Sequence, residues 1–135
     1  MLRRSIAVVG LLALVGIGCS SDDEGVAVTL DDFTVTADPT SEAAGEVTFN
    51  VTNDADQTHE FVVVQTDLAP DALPTNEDGD VDEEGEGITP IDEIEDIAAD
   101  SEQSLTVDLD AGSYVLFCNL PTHYSQGMHT AFSVS

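Results

Sequence analysis

Beyond residue 19 the chain has five side chains with soft or nitrogen donors, and three of them stand in one run, Cys118-Asn-Leu-Pro-Thr-His123-Tyr-Ser-Gln-Gly-Met128. The other two are His59 and His129. A thiolate, an imidazole and a thioether on one short loop are three of the four donors of a mononuclear copper centre, in which two imidazoles and a thiolate form a trigonal set and a weak Met ligand lies on the axis. The missing donor is a second imidazole, and His59 can supply it. Cys118 and Met128 are each the only residue of their type after position 19, so their meeting in one loop does not follow from abundance. Zinc would also accept two imidazoles and a thiolate, which leaves the metal open on residue types alone. His129 directly follows Met128 and on a strand would point the other way, so it is expected at the surface.

Strands must carry these donors to one place. Val26, Val28 and Leu30 alternate with small or polar residues, as do Phe33 and Val35, then Val47, Phe49 and Val51, and later Leu105, Val107 and Leu109. Such alternation marks half-buried strands. Phe61-Val-Val-Val64 is a continuous run suited to a central strand, Tyr114-Val-Leu-Phe117 leads into Cys118, and Phe132 with Val134 forms a last strand. Punctuation by Gly, Pro, Asn and Asp makes this an all-β antiparallel sandwich. Cys118 then ends one strand and Met128 stands just before the next, with Pro121 stiffening the loop and Gly127 giving room beside Met128.

Between Thr66 and Ser101 the pattern breaks. Leu68-Ala-Pro70 and Ala72-Leu-Pro74 interrupt any strand, and Asn76 to Glu86 is an acidic loop. Asp78, Asp80 and Asp82 alternate like the start of a calcium loop, but Glu83 stands where the tight turn needs Gly, so a solvated loop is expected. Thr89-Pro90 followed by Ile91, Ile94 and Ile97 predicts one short capped helix packed on the sandwich.

Residues 1–18 have a basic start at Arg3 and Arg4 and an apolar stretch from Ile6 to Ile17, which is a secretory signal peptide rather than a spanning helix. Cys19 after Gly-Ile-Gly resembles a lipobox cysteine, so 19–25 is read as a lipidated Cys19 with an acidic tether and 26–135 as the domain. The expected location is outside the cytoplasm, anchored to the cell membrane by the N-terminal lipid and facing the periplasm or the exterior. If Cys19 is acylated, Cys118 is a lone exported thiol, which a metal would explain; the alternatives are a Cys19–Cys118 disulfide or an inert buried thiol. Both basic residues of the chain lie in the leader, against 28 Asp and Glu after it. Nucleic-acid binding is excluded, since no cation is left to meet phosphate. The acidity suits high solubility or high salt, or steering toward a basic partner.

The stretch Gly112-Ser-Tyr-Val-Leu-Phe-Cys118-Asn-Leu-Pro-Thr-His123-Tyr-Ser-Gln-Gly-Met128, with Asn53 and His59-Glu-Phe upstream, resembles the copper-binding region of the cupredoxin family, and its gaps on both sides of His123 are similar to those of the auracyanins. The resemblance implies a Greek-key sandwich with one type 1 copper held by His59, Cys118, His123 and Met128. Residues Leu68 to Ile97 look like the insertion of a bacterial cupredoxin-like group. Many cupredoxins have Asn or Ser after the first ligand histidine to brace the ligand loop, whereas this chain has Glu60, which alters the hydrogen bonding around the thiolate.

The function expected is an exported blue copper protein, a monomer, carrying single electrons between redox partner proteins. Copper delivery or storage is the alternative, although such sites favour clusters of exposed Met and His. A sandwich that never binds copper is a further reading. An enzyme is not expected, because three histidines cannot build the additional copper centres of oxidases or nitrite reductases.

Overall fold

The computed structural model describes residues 25–135. The leader, Cys19 and the beginning of the tether lie outside the described residues. Nine strands follow in order: β1 (Val26–Asp31), β2 (Thr34–Asp38), β3 (Ser41–Glu42), β4 (Gly45–Asn53), β5 (His59–Thr66), β6 (Ile88–Ile97), β7 (Ser101–Leu109), β8 (Gly112–Phe117) and β9 (His129–Val134). They form two sheets, β2-β1-β4-β7 and β3-β9-β8-β5-β6. Alternating apolar residues explain the sandwich: Val26, Val28 and Leu30 of β1 and Val47, Phe49 and Val51 of β4 are buried and face Phe61, Val63, Leu116 and Phe132 of the other sheet. Phe49 centres this core, with ring centroids 5.4 Å from Phe61 and 5.3 Å from Phe132.

Most pairings are antiparallel, but β1 runs parallel to β4 and β3 parallel to β9. Alternation fixes which face of a strand is buried and is silent on the direction of its neighbour, so the antiparallel expectation holds for the sheets without these two pairs.

The continuous run of β5 has a specific cause. Phe61 and Val63 face the inter-sheet core, whereas Val62 and Val64 join a second cluster with Val115, Phe117, Tyr124, Leu73 and Val81. Leu73 and Val81 belong to the insertion between β5 and β6. This segment therefore covers the outer face of the second sheet as a partial third layer, and β5 and β8 are buried on both sides.

The expected helix at Thr89–Ile97 is absent. Those residues form β6, an edge strand paired with β5, and among the described residues the only helical element is a 3-10 turn at Tyr124–Gln126. Ile91, Ile94 and Ile97 turn toward the inter-sheet core and Ile88 toward the outer cluster, all four spaced by three. Two register shifts produce that spacing: between His59↔Ile97 and Phe61↔Ile94, and between Val63↔Asp92 and Val64↔Pro90, β6 spends one residue more than β5. A bulge adds one residue to a period of two and so mimics a helical period. Pro90 on an edge strand loses no interior ladder bond, and Asp92, Glu93, Glu95 and Asp96 keep the open edge charged.

Asn53 fixes the approach to the site. It is fully buried at the end of β4, donates from Nδ2 to the carbonyls of Gln57 (2.8 Å) and Ile97 (2.9 Å), and accepts the Ala55 N–H at Oδ1 (3.0 Å). One side chain thus shapes the loop entering His59 and ties it to the end of β6. Asn53→Ala strands those backbone groups, and we expect a loss of about 2–4 kcal/mol of unfolding free energy in urea titration; a loss below about 0.5 kcal/mol would show that the loop holds itself.

Candidate metal centre

Strand order delivers the donors. In the run β9-β8-β5 neighbouring strands are antiparallel, with Phe117 opposite both Val62 and His129. The C-terminal end of β8 therefore lies beside the N-terminal ends of β5 and β9. Cys118 follows β8, His59 opens β5 and Met128 immediately precedes β9, so three residues distant in sequence reach one end of the sandwich. Loop 118–128 folds back on itself to add His123. The Cys118 N–H donates to the Met128 carbonyl (3.1 Å), and the Met128 and Gln126 N–H groups both donate to the His123 carbonyl (3.2 Å each). Gly127 takes φ 114° at the end of the 3-10 turn, a conformation that L side chains rarely adopt.

His59 Nδ1 lies 3.1 Å from His123 Nδ1 and 3.8 Å from Cys118 Sγ, and His123 Nδ1 lies 3.5 Å from the same sulfur. A point equidistant from these three atoms is about 2 Å from each, close to the about 2.0–2.3 Å at which imidazole nitrogens and thiolates hold a first-row ion such as zinc. Met128 is fully buried in the adjoining core. Two nitrogens, one thiolate sulfur and a nearby thioether form a donor set that fits one type 1 copper. Of the four residues expected from the sequence, His59, Cys118 and His123 meet here, and Met128 adjoins them through its backbone bonds to Cys118 and His123 and its place in the core. His129 does not join them; it is half-buried with its ring 5.1 Å from that of Tyr124.

Electrostatics prepare the donors unequally. Burial raises the Cys118 thiol above its ordinary value, and the Glu60 charge adds to this, while N–H groups of Leu120 and Glu60 work against them. Metal binding must therefore release the thiol proton. Burial, then the neighbouring His59, lowers the His123 imidazole, partly offset by Asp32 and Asp80. A lowered value favours the neutral ring that can ligate. Cys118 is a free thiol.

The brace expected from the residue after His59 takes another form. Glu60 uses its backbone, donating its N–H to Cys118 Sγ (3.3 Å). Its side chain meets Glu83 and Glu93 in a carboxylate cluster, and burial together with a hydrogen bond to Glu93 and the charges around it pushes the Glu60 carboxyl up to about 8. Asn119 takes the bracing role from the other side. It accepts the Val81 N–H at Oδ1 (2.8 Å) and donates to the Val81 carbonyl (3.1 Å) and to Glu83 Oε1 (2.8 Å).

Two more clasps join the insertion to the ligand loop. The Thr122 N–H donates to Asp80 Oδ1 (3.0 Å), and the Tyr124 hydroxyl donates to the Pro70 carbonyl (2.7 Å) while accepting the Leu73 N–H (3.0 Å). Two of the alternating acids, Asp80 and Asp82, thus serve backbone groups, Asp82 accepting from the Glu84 N–H (3.2 Å), and the amide of Asn76 accepts from those of Asp78 and Asp80. A purely solvated loop was expected; part of it instead anchors the site. Sequence reasoning also missed Asp32, whose Oδ1 lies 3.2 Å from His59 Nε2, and the contact of Phe33 with His123, edge to face with centroids 5.2 Å apart. No spacing signal links a turn at 31–33 to residues 59 and 123.

A family model described as the Sulfocyanin (SoxE) domain matches residues 40–135. No curated protein matches the sequence. Among solved structures, auracyanin from the photosynthetic bacterium Roseiflexus castenholzii is similar at 20% identity, covering 81% of this chain and 94% of its own, with a TM-score of 0.56. Auracyanin A, described as a blue copper protein from Chloroflexus aurantiacus, gives 20%, 81%, 99% and 0.54. Rusticyanin from Thiobacillus ferrooxidans gives 16%, 81%, 76% and 0.58. These likenesses carry the sandwich fold.

The raised Glu60 carboxyl has a measurable consequence. Between its ordinary 4.5 and its folded value of about 8 the folded chain holds a proton that the unfolded chain has lost. This contribution is fully present below 4.5 and is lost as pH rises toward 8. In the metal-free protein Glu60→Gln should flatten the decline of the urea midpoint over that interval; parallel wild-type and variant curves would contradict the assignment.

Proposed function

The chain belongs to the Sulfocyanin (SoxE) domain family, and from that premise we propose that it is a type 1 blue copper protein, with His59, Cys118, His123 and Met128 as ligands, that carries single electrons between redox partner proteins outside the cytoplasm. The observation that carries this reading is the buried triangle of two Nδ1 atoms and one Sγ at the end of a cupredoxin sandwich. Copper bound there supplies a one-electron change between Cu(II) and Cu(I). The protein keeps the donors in place on both sides of that change: strand ends fix His59 and Cys118, and the insertion fixes the loop bearing His123. As an electron carrier the protein is not an enzyme.

Access is one-sided. His59, Cys118 and Met128 are 0% exposed and His123 is 9% exposed, so the loop imidazole is the donor nearest to solvent. Phe33 packs on its ring, and Leu120 and Pro121 flank it in the loop. This apolar collar excludes water while leaving a short route for an electron. Burial of the set and its single thioether favour a carrier over delivery or storage, which need ready exchange of the metal.

The proposed arrangement of the chain is a signal peptide over residues 1–18, a lipid on Cys19 with a short acidic tether to residue 25, and the cupredoxin domain from 26 to 135. The leader composition supports export and anchoring at the outer side of the cell membrane. A mature protein whose mass shows an unmodified Cys19 would remove the anchor from this picture.

Titration of the purified protein with copper(II) should produce an intense visible thiolate-to-copper band that ascorbate bleaches reversibly and that Cys118→Ser abolishes. Colourless binding would transfer the case to delivery or storage, and absence of binding would leave a structural sandwich. Leu120→Asp should keep the colour yet slow electron exchange with a small redox partner by about tenfold or more, since about 1.4 kcal/mol of lost apolar contact gives that factor; unchanged kinetics would place the electron's route elsewhere.

A further inference from the structure

We propose that Asp32 is a positioning residue for the metal centre, its carboxylate fixing the His59 tautomer that presents a free Nδ1 lone pair and biasing bound copper toward Cu(II). Asp32 lies in the turn between β1 and β2, and its Oδ1 is 3.2 Å from His59 Nε2. The same oxygen accepts from Gln57 Nε2 at 2.7 Å, and the Asp32 N–H donates to Asp31 Oδ1 at 2.8 Å. Gln57 therefore holds the carboxylate and Asp31 the backbone that bears it, at the boundary between solvent and a fully buried ring: the Asp32 side chain is 39% exposed and that of His59 is 0%.

Tautomer logic follows from the partners. An ionised carboxylate only accepts hydrogen bonds, so a neutral His59 must carry its single proton on Nε2 to satisfy the contact. Its Nδ1 is then a bare lone pair facing His123 Nδ1 and Cys118 Sγ. In the metal-free protein the 3.1 Å contact between the two Nδ1 atoms becomes a hydrogen bond donated by His123. His59 is thus preset for a metal, whereas His123 must move its proton off Nδ1 before it can ligate.

Charge gives the second half of the inference. A carboxylate behind a ligand imidazole makes that imidazole a stronger donor, and such partners commonly alter metal affinity by about 10–100-fold. The added negative charge stabilises the dication more than the monocation. Among the described residues there is no Lys or Arg, so within them only a protonated histidine could neutralise it. The adjacent Phe33 packs on His123, so a single turn at residues 31–33 reaches both imidazoles.

The copper half of this inference rests on the function proposed above, and the test separates the two. Nitrogen-15 NMR of the metal-free protein should show His59 as the Nε2–H tautomer, with Asp32→Ala giving a mixture. Copper competition assays should show that Asp32→Asn lowers the ratio of Cu(II) to Cu(I) affinity about tenfold, an upward shift of about 59 mV in potential for a one-electron couple. An Nδ1–H tautomer on wild-type His59, or an unchanged affinity ratio in Asp32→Asn, would overturn the role given to Asp32. A wild-type protein that binds no copper would overturn the functional reading and with it the bias toward Cu(II), while the tautomer measurement would still decide the positioning role.

Discussion

Three lone-pair donors are held within 3.8 Å of one another in a place closed to bulk water, and the rest of the structure depends on that constraint. Without a metal such a gathering gains little: one hydrogen bond between imidazoles and a thiol whose ionisation burial opposes. The scaffold around it supplies the holding force. β5, β8 and β9 pin two donors through sheet register, and the fully buried core behind them leaves the side chains little freedom to separate. Donors already placed for the ion spare it the work of assembling them, and a site that cannot relax has little to reorganise when its charge changes.

The insertion after β5 belongs to this holding apparatus. It covers the outer face of the second sheet with Leu73 and Val81, and from that layer it reaches the ligand loop at three points, through Asn119, Thr122 and Tyr124. Apolar burial secures the insertion, and hydrogen bonds transfer its rigidity to the loop. The brace that Asn or Ser after the first histidine supplies in many cupredoxins is thereby divided here between the Glu60 backbone and Asn119.

What could be read from the sequence followed from local rules. The donor spacing around His123, the alternation of Val26, Val28 and Leu30, and the doubly buried run of β5 each register in adjacent residues. Ile91, Ile94 and Ile97 misled because two bulges in an edge strand reproduce a period of three, and a period alone does not identify its origin. Asp32 and the clasps of Asn119 and Tyr124 were invisible for another reason: they join segments 27 to 54 residues apart through individual polar side chains, and polar residues in turns are too common to advertise a distant partner. The two parallel pairings escaped because strand direction leaves no trace in alternation.

The absence of Lys and Arg after Arg4 has a consequence for traffic among copies of this protein. Two identical polyanions approaching through their His123 ends repel each other, so electron hopping between like molecules is suppressed where salt is dilute and recovers as the Debye length shrinks, from about 30 Å at 0.01 M to about 3 Å at 1 M. A cationic surface meets the opposite situation and is drawn in. The charge pattern thus acts as a sorting rule, insulating a crowd of carriers from one another while leaving each of them open to its counterpart.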